Sequence, residues 1–143
     1  MTQDPQALAE AAAHAMYESD ACSRWLGMVL EAVRPGYARI SMPIRPEFLN
    51  GHGICHGGLM FTLADSTFAF ACNSHNINTV ASGCSIEFLR PVHGGDVLTA
   101  EAVEQRARED AERQYGMAMR RALERNADEV RFVRGLGMGV LRP

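Results

Sequence analysis

From Gly58 to about Phe70 the chain reads as a helix with almost no wet side. Leu59, Met60, Phe61, Leu63, Ala64, Phe68, Ala69 and, just beyond, Ala71 leave little room for a polar face. A helix that is apolar nearly all round has to be enclosed by the rest of the molecule. The other segments must therefore wrap around it. There is enough chain to do so: 143 residues, of which 47% are apolar and 22% charged, suit one domain with a true core. A chain of this length buries roughly 70% of its unfolded surface, so neither disulfides nor a structural metal are needed. We expect one domain over residues 1–143, with a helical extension in front over about residues 5–26.

The wrapping segments change period. Asp4 followed by Pro5 marks a helix start, and the alanine-rich run continues it to about Tyr17. A second short helix is expected over Ala21–Leu26. In Tyr37–Ile44, Ala38, Ile40, Met42 and Ile44 alternate with Tyr37, Arg39, Ser41 and Pro43, which is strand period. Pro35-Gly36 supplies a turn that joins this strand to Met28–Val33 as a hairpin. Pro43 has no N–H for a ladder, so that strand end is expected to be unpaired on one side. Further strands are expected over Thr79–Phe88, Val97–Val103 and near Val130–Val140. Arg90-Pro91 and His93-Gly94-Gly95-Asp96 make the turns. Propensity alone favours helix over Gln105–Asn126. Helices and antiparallel strands together give an α+β fold.

A net charge of −3 argues against nucleic acid as the main partner. No apolar run approaches the roughly 20 residues of a membrane helix. The N-terminus lacks the basic and apolar regions of a signal peptide, so the expected location is the cytoplasm. Cys22, Cys55, Cys72 and Cys84 are far apart and form no CxxC. They are expected to be reduced and to pack as small hydrophobes.

The chemistry is concentrated in NGHGICHGGLMFTLAD, Asn50 to Asp65. Asp65 falls inside the apolar helix, where an ionised carboxylate is costly unless it is paired or faces a cleft. At the helix start, His56, Gly57 and Gly58 leave backbone N–H groups pointing out at the positive end of the helix dipole. Such an N–H can hold the oxyanion of a tetrahedral intermediate, and glycine permits close approach. It can equally mark tight packing against a sheet. Gly57 and Asp65 are eight residues apart, roughly 12 Å along a helix. If both act on one carbonyl, Asp65 should come from a second subunit. A metal reading of His52, Cys55 and His56 lacks a third ligand at a usual spacing. Cys55, beside His56 and the helix start, is conceivable as a nucleophile.

NGHGICHGGLMFTLADSTFAFACNS, followed by ASGCSIEFLRP and GDVLTAEA, resembles the phenylacetate-pathway (PaaI-type) hotdog thioesterases from about Met16 to Glu104. FVRGLGMG is similar to that family's last strand. The resemblance implies a hotdog fold, a long antiparallel sheet wrapped around a central helix. It implies dimers, usually paired into tetramers, and hydrolysis of acyl-CoA thioesters, especially phenylacetyl-CoA and its ring-hydroxylated relatives. It makes Asp65 the acidic residue and Gly57 the oxyanion-hole amide, with Asn50 and His56 the polar groups around the thioester carbonyl and the helix start. No cofactor is implied, since CoA is part of the substrate. Over Gln105–Val130 the family has two strands joined by a turn, against the local propensity, and we expect strands there.

Met60, Phe61, Phe68 and Phe88 are candidates for an aryl pocket, although apolar residues at such places more often form core. Arg90 is a candidate for a CoA phosphate, although an Arg before a turn proline is more often a solvated charge. Two other functions fit the same residues. One is a hotdog enoyl-CoA hydratase or dehydratase, the other a non-catalytic acyl-CoA-binding module.

Overall fold

The computed structural model describes residues 4–81, 83–104, 131–133 and 139–141. Two strands, β1 (Val29–Arg34) and β2 (Tyr37–Pro43), form the expected hairpin, with Arg34 opposite Tyr37. Gly36 closes the turn at φ +71°, a conformation that suits glycine. A register shift between Leu30 and Ala32 bulges β1, and its ladder ends at the Val29–Ser41 pair. Pro43 thus lies beyond the β1 ladder, and it pairs only with Val97.

After β2 the chain passes through a 3-10 turn (Pro46–Phe48) and a loop into helix α3 (Gly57–Asn73). Strand β4 (Val97–Val103) lies antiparallel beside β2, from Tyr37–Val103 to Pro43–Val97. Strand β6 (Gly139–Leu141) lies antiparallel on its other side, giving the order β1-β2-β4-β6. Strand β3 (Thr79–Ala81) pairs in parallel with β5 (Arg131–Val133).

Period-two alternation decides which face is covered. Ala38, Ile40 and Met42 of β2 and Leu98, Ala100 and Ala102 of β4 are buried in one cluster with Met60, Leu63, Phe70 and Ala71 of α3. Each large side chain buried here contributes roughly 1.5–3 kcal/mol. Ahead of the sheet, α1 (Pro5–Ser19) starts on an Asp4 cap, whose Oδ1 accepts the Gln6 N–H at 3.1 Å. Ala9 and Ala13 are its buried face. Tyr17 Oη donates to the Met28 carbonyl at 2.7 Å and ties α1 to the start of the sheet. The short α2 (Ala21–Trp25) is capped by Asp20, which accepts the Ser23 N–H at 2.9 Å.

This is the α+β arrangement of a hotdog fold, a sheet held against one long helix. Three expectations need correction. The central helix runs to Asn73 and not to Phe70, ending where the Ser74 hydroxyl donates to the Ala71 carbonyl at 2.7 Å. The strand expected over Thr79–Phe88 stops at Ala81, and residues 83–89 join no sheet among the described residues. A ladder needs a neighbour to accept its bonds, and among the described residues none lies there. The expected terminal strand is described in two stretches, β5 and β6, which have different neighbours, with residues 134–138 outside the described residues. The segments in question over Gln105–Asn126 lie outside the described residues.

Candidate active site

The loop into α3 is pinned by its own backbone. Asn50 N–H donates to the Ile54 carbonyl at 2.8 Å, Cys55 N–H to Val92 at 2.8 Å and His56 N–H to Phe48 at 2.8 Å. The Asn50 side chain works inside this loop: its Oδ1 accepts the His52 N–H at 2.9 Å and the Ile54 N–H at 3.4 Å. That leaves the amide NH2 of Asn50 as a donor with no partner among the described residues. Gly53 sits at φ +73°, where a side chain would be strained.

At the helix start, His56 is the N-cap, and its Nδ1 accepts the Gly58 N–H at 3.0 Å. An accepting Nδ1 carries no proton, so in the neutral ring the proton sits on the exposed Nε2. The His56 carbonyl takes the Leu59 and Met60 N–H groups. The Gly57 N–H is left without an acceptor among the described residues, at the positive end of a 17-residue helix.

Asp65 lies on the same helix, roughly 12 Å along its axis from Gly57. Its carboxylate is half-buried and makes no hydrogen bond or ion pair among the described residues. Burial pushes its pKa above the ordinary aspartate value. Cys84 stands nearby, its thiol pKa raised by burial and by the Asp65 charge. Four residues on, Phe88 lies against Gly57, where a Cβ would stand 3.1 Å from Cζ of the ring. The stretch from Cys84 to Phe88 thus lies beside α3, near Asp65 at one end and Gly57 at the other. Neither pairing is legible from spacing alone, because the two stretches are some twenty residues or more apart.

The remaining candidates are scattered. Met60 is buried in the core cluster, while Phe61 and Phe68 are half-buried. Arg90 is exposed at the bend before Pro91, with no ion pair among the described residues. Cys55 is no activated nucleophile: it is 3% exposed, and burial pushes its thiol pKa up. Cys55 and Cys72 are buried, but Cys22 and Cys84 are exposed and do not pack as core. Among the described residues no three His, Cys, Asp or Glu side chains group to hold a metal ion. No helix among them is long and apolar enough to cross a membrane.

With this geometry in view, comparison with known proteins is informative. Residues 52–109 match the family model of the Thioesterase superfamily. The acyl-coenzyme A thioesterase PaaI of Escherichia coli K12 is 52% identical over 90 residues, covering 63% of this chain and 64% of that protein. The solved structure of the E. coli PaaI protein superposes with a TM-score of 0.70 at 47% identity, covering 73% of this chain and 75% of that one. A Streptococcus pneumoniae TIGR4 hypothetical thioesterase, solved with coenzyme A, superposes with a TM-score of 0.57 at 27% identity, over 65% of this chain and 75% of that one.

The fold and these matches therefore define a hotdog protein of the thioesterase superfamily. The chain belongs to the thioesterase superfamily, in its PaaI-like branch.

Proposed function

We propose that this protein hydrolyses acyl-CoA thioesters to the free acid and CoA, with phenylacetyl-CoA or a ring-hydroxylated phenylacetyl-CoA as the substrate. One observation carries the reading. A half-buried carboxylate and a helix-start N–H, neither with a hydrogen-bond partner among the described residues, share α3, the helix held against the sheet. Likeness to PaaI of E. coli, an acyl-coenzyme A thioesterase, and to a relative solved with coenzyme A supports the substrate class.

The Gly57 N–H, backed by the helix dipole, receives the thioester oxygen as it becomes an oxyanion. Asp65 either takes a proton from water, whose oxygen then attacks, or attacks itself to give a mixed anhydride that water opens. In both routes the tetrahedral centre collapses with loss of the CoA thiolate. The separation of Gly57 from Asp65 is too long for one carbonyl, so the second group comes from a partner chain. A homodimer with composite sites, paired into a tetramer, is the assembly we infer. Segment 83–89 joins no sheet among the described residues, and with Phe88 and Leu89 exposed at 53% and 84% it supports an edge that a second copy covers. Asn50 and His56 complete the polar surround, and Arg90 meets a CoA phosphate. The reaction needs neither metal nor cofactor, and we place it in the cytoplasm, where free thiols stay reduced.

A thiol-release screen over aryl, short-chain and long-chain CoA esters tests this. Release that is fastest with aryl esters and lost in Asp65→Ala is the expected result. Saturable binding of CoA esters with no thiol released would make the protein a binding module. Water added to an enoyl-CoA without thiol release would make it a hydratase.

A further inference from the structure

The outer edge of the sheet is covered by a helix. β1 ends the strand order β1-β2-β4-β6, so its far side faces no strand among the described residues. Helix α1 lies against it instead and is tied at both ends. Gln6 Nε2 donates to the Val33 carbonyl at 3.0 Å and to Glu10 Oε1 at 2.7 Å, which fixes the amide in place. Tyr17 Oη donates to the Met28 carbonyl at 2.7 Å. Gln6 and Tyr17 lie roughly 16 Å apart along the helix. Val33 and Met28 lie roughly 16 Å apart along the strand, running the other way. Between the two ties, Ala9 and Ala13 are 0% and 1% exposed, and their small side chains let the helix come close. Matched lengths and two bonds to main-chain carbonyls make α1 a strap over the edge.

We propose that the covered edge of β1 is a pairing surface for a second copy of this chain, and that α1 masks it. A strand edge presents a row of N–H and C=O groups on which another strand can add. The same edge turned about a twofold axis runs antiparallel to itself, so donors of each copy meet acceptors of the other. The charges agree with this partner. Glu31 and Arg34 are the charged residues of β1, and antiparallel pairing runs Glu31 of one copy toward Arg34 of the other. Val29, 55% exposed, adds apolar area. Masking the edge keeps the assembly closed. A copy that joined neighbours through both segment 83–89 and β1 would have two separate joints, and a row of such copies need not close. With α1 in place the second joint is withheld, and assembly stops at a finite size. The inference stands apart from the thioesterase reading and takes from it only the second copy at segment 83–89.

The test uses the full chain in two variants. Gln6→Ala/Tyr17→Phe removes both ties and keeps the aromatic body, and Ala9→Asp sets a carboxylate in the contact of the strap. Hydrogen exchange over residues 30–33 should quicken by about tenfold or more in either, while β4 keeps its rates. Light scattering should give a mass that rises with protein concentration in the variants and stays constant in the wild type. Adding Val29→Lys, a charge on the edge strand, should restore the constant mass. Growth that Val29→Lys does not stop belongs to unfolded chains and overturns the proposal. A constant mass in both variants overturns it as well, and so does equal growth in the wild type. Thiol release enters none of these readouts, so failure of the thioesterase reading leaves them unchanged.

Discussion

The imidazole of His56 turns back onto its own helix, where Nδ1 accepts the Gly58 N–H at 3.0 Å. One orphan donor of the first turn is thereby satisfied, while the Gly57 N–H beside it has no acceptor among the described residues. A group that accepts at this position matters more to stability than the ring itself. His56→Asn, which can still cap, should keep the melting temperature close to wild type. His56→Ala should cost about 1 kcal/mol in urea unfolding, the usual worth of an N-cap.

Asp65 links stability and activity to pH in opposite senses. Its folded-state pKa is raised by burial, so the stability tied to its neutral form is present at low pH and lost as pH rises through the folded value. Asp65→Asn should accordingly raise the melting temperature at pH 7 by roughly 2 °C. The gain should vanish below the ordinary aspartate range. Activity needs the ionised carboxylate, so the acid limb of kcat/KM should lie above that range. Calorimetry and a pH–rate profile check the two halves separately.

Asn50 separates a loop brace from a site donor. Its Oδ1 holds the His52 and Ile54 N–H groups, while its NH2 is unused among the described residues. Asn50→Asp keeps the acceptor and removes the donor. The variant should melt within about 1 °C of wild type and lose roughly tenfold or more in kcat/KM, as for one oxyanion-facing donor. Full activity in Asn50→Asp would confine Asn50 to bracing the loop.

A shared site makes a complementation experiment decisive. Asp65→Ala and His56→Ala are each expected to be nearly inactive as pure proteins. Mixed, denatured and refolded, about half the dimers should be hybrids with one intact site, and roughly a quarter of wild-type activity should return. If both groups serve from one chain, activity stays at the mutant level.

Labelled water detects one of the routes open to Asp65. In a single turnover, label in the Asp65 carboxylate establishes an anhydride opened at the aspartyl carbon. Label confined to the acid product is expected of general-base catalysis, and also of an anhydride opened at the acyl carbon.

Local chemistry fixed much of this protein from sequence alone. The Asp4 cap, the Pro35-Gly36 hairpin and the alternation in Tyr37–Ile44 are short-range effects, and they read directly. The apolar faces of Leu59–Ala71 required burial of that helix before any neighbour was known. The spacing of Gly57 and Asp65 follows from helix geometry and pointed to two chains. Pairings between distant segments had no such local signal. That Phe88 rather than open space lies on the flank of Gly57, and that Cys84 stands by Asp65, was decided by how segment 83–89 lies along α3. Residues 83–89 likewise join no sheet among the described residues, because β-branched and apolar residues make an extended chain but only a partner makes a sheet. Propensity describes one residue and its near neighbours; a ladder, a ring on a glycine and a buried carboxylate each need a second segment brought in from elsewhere.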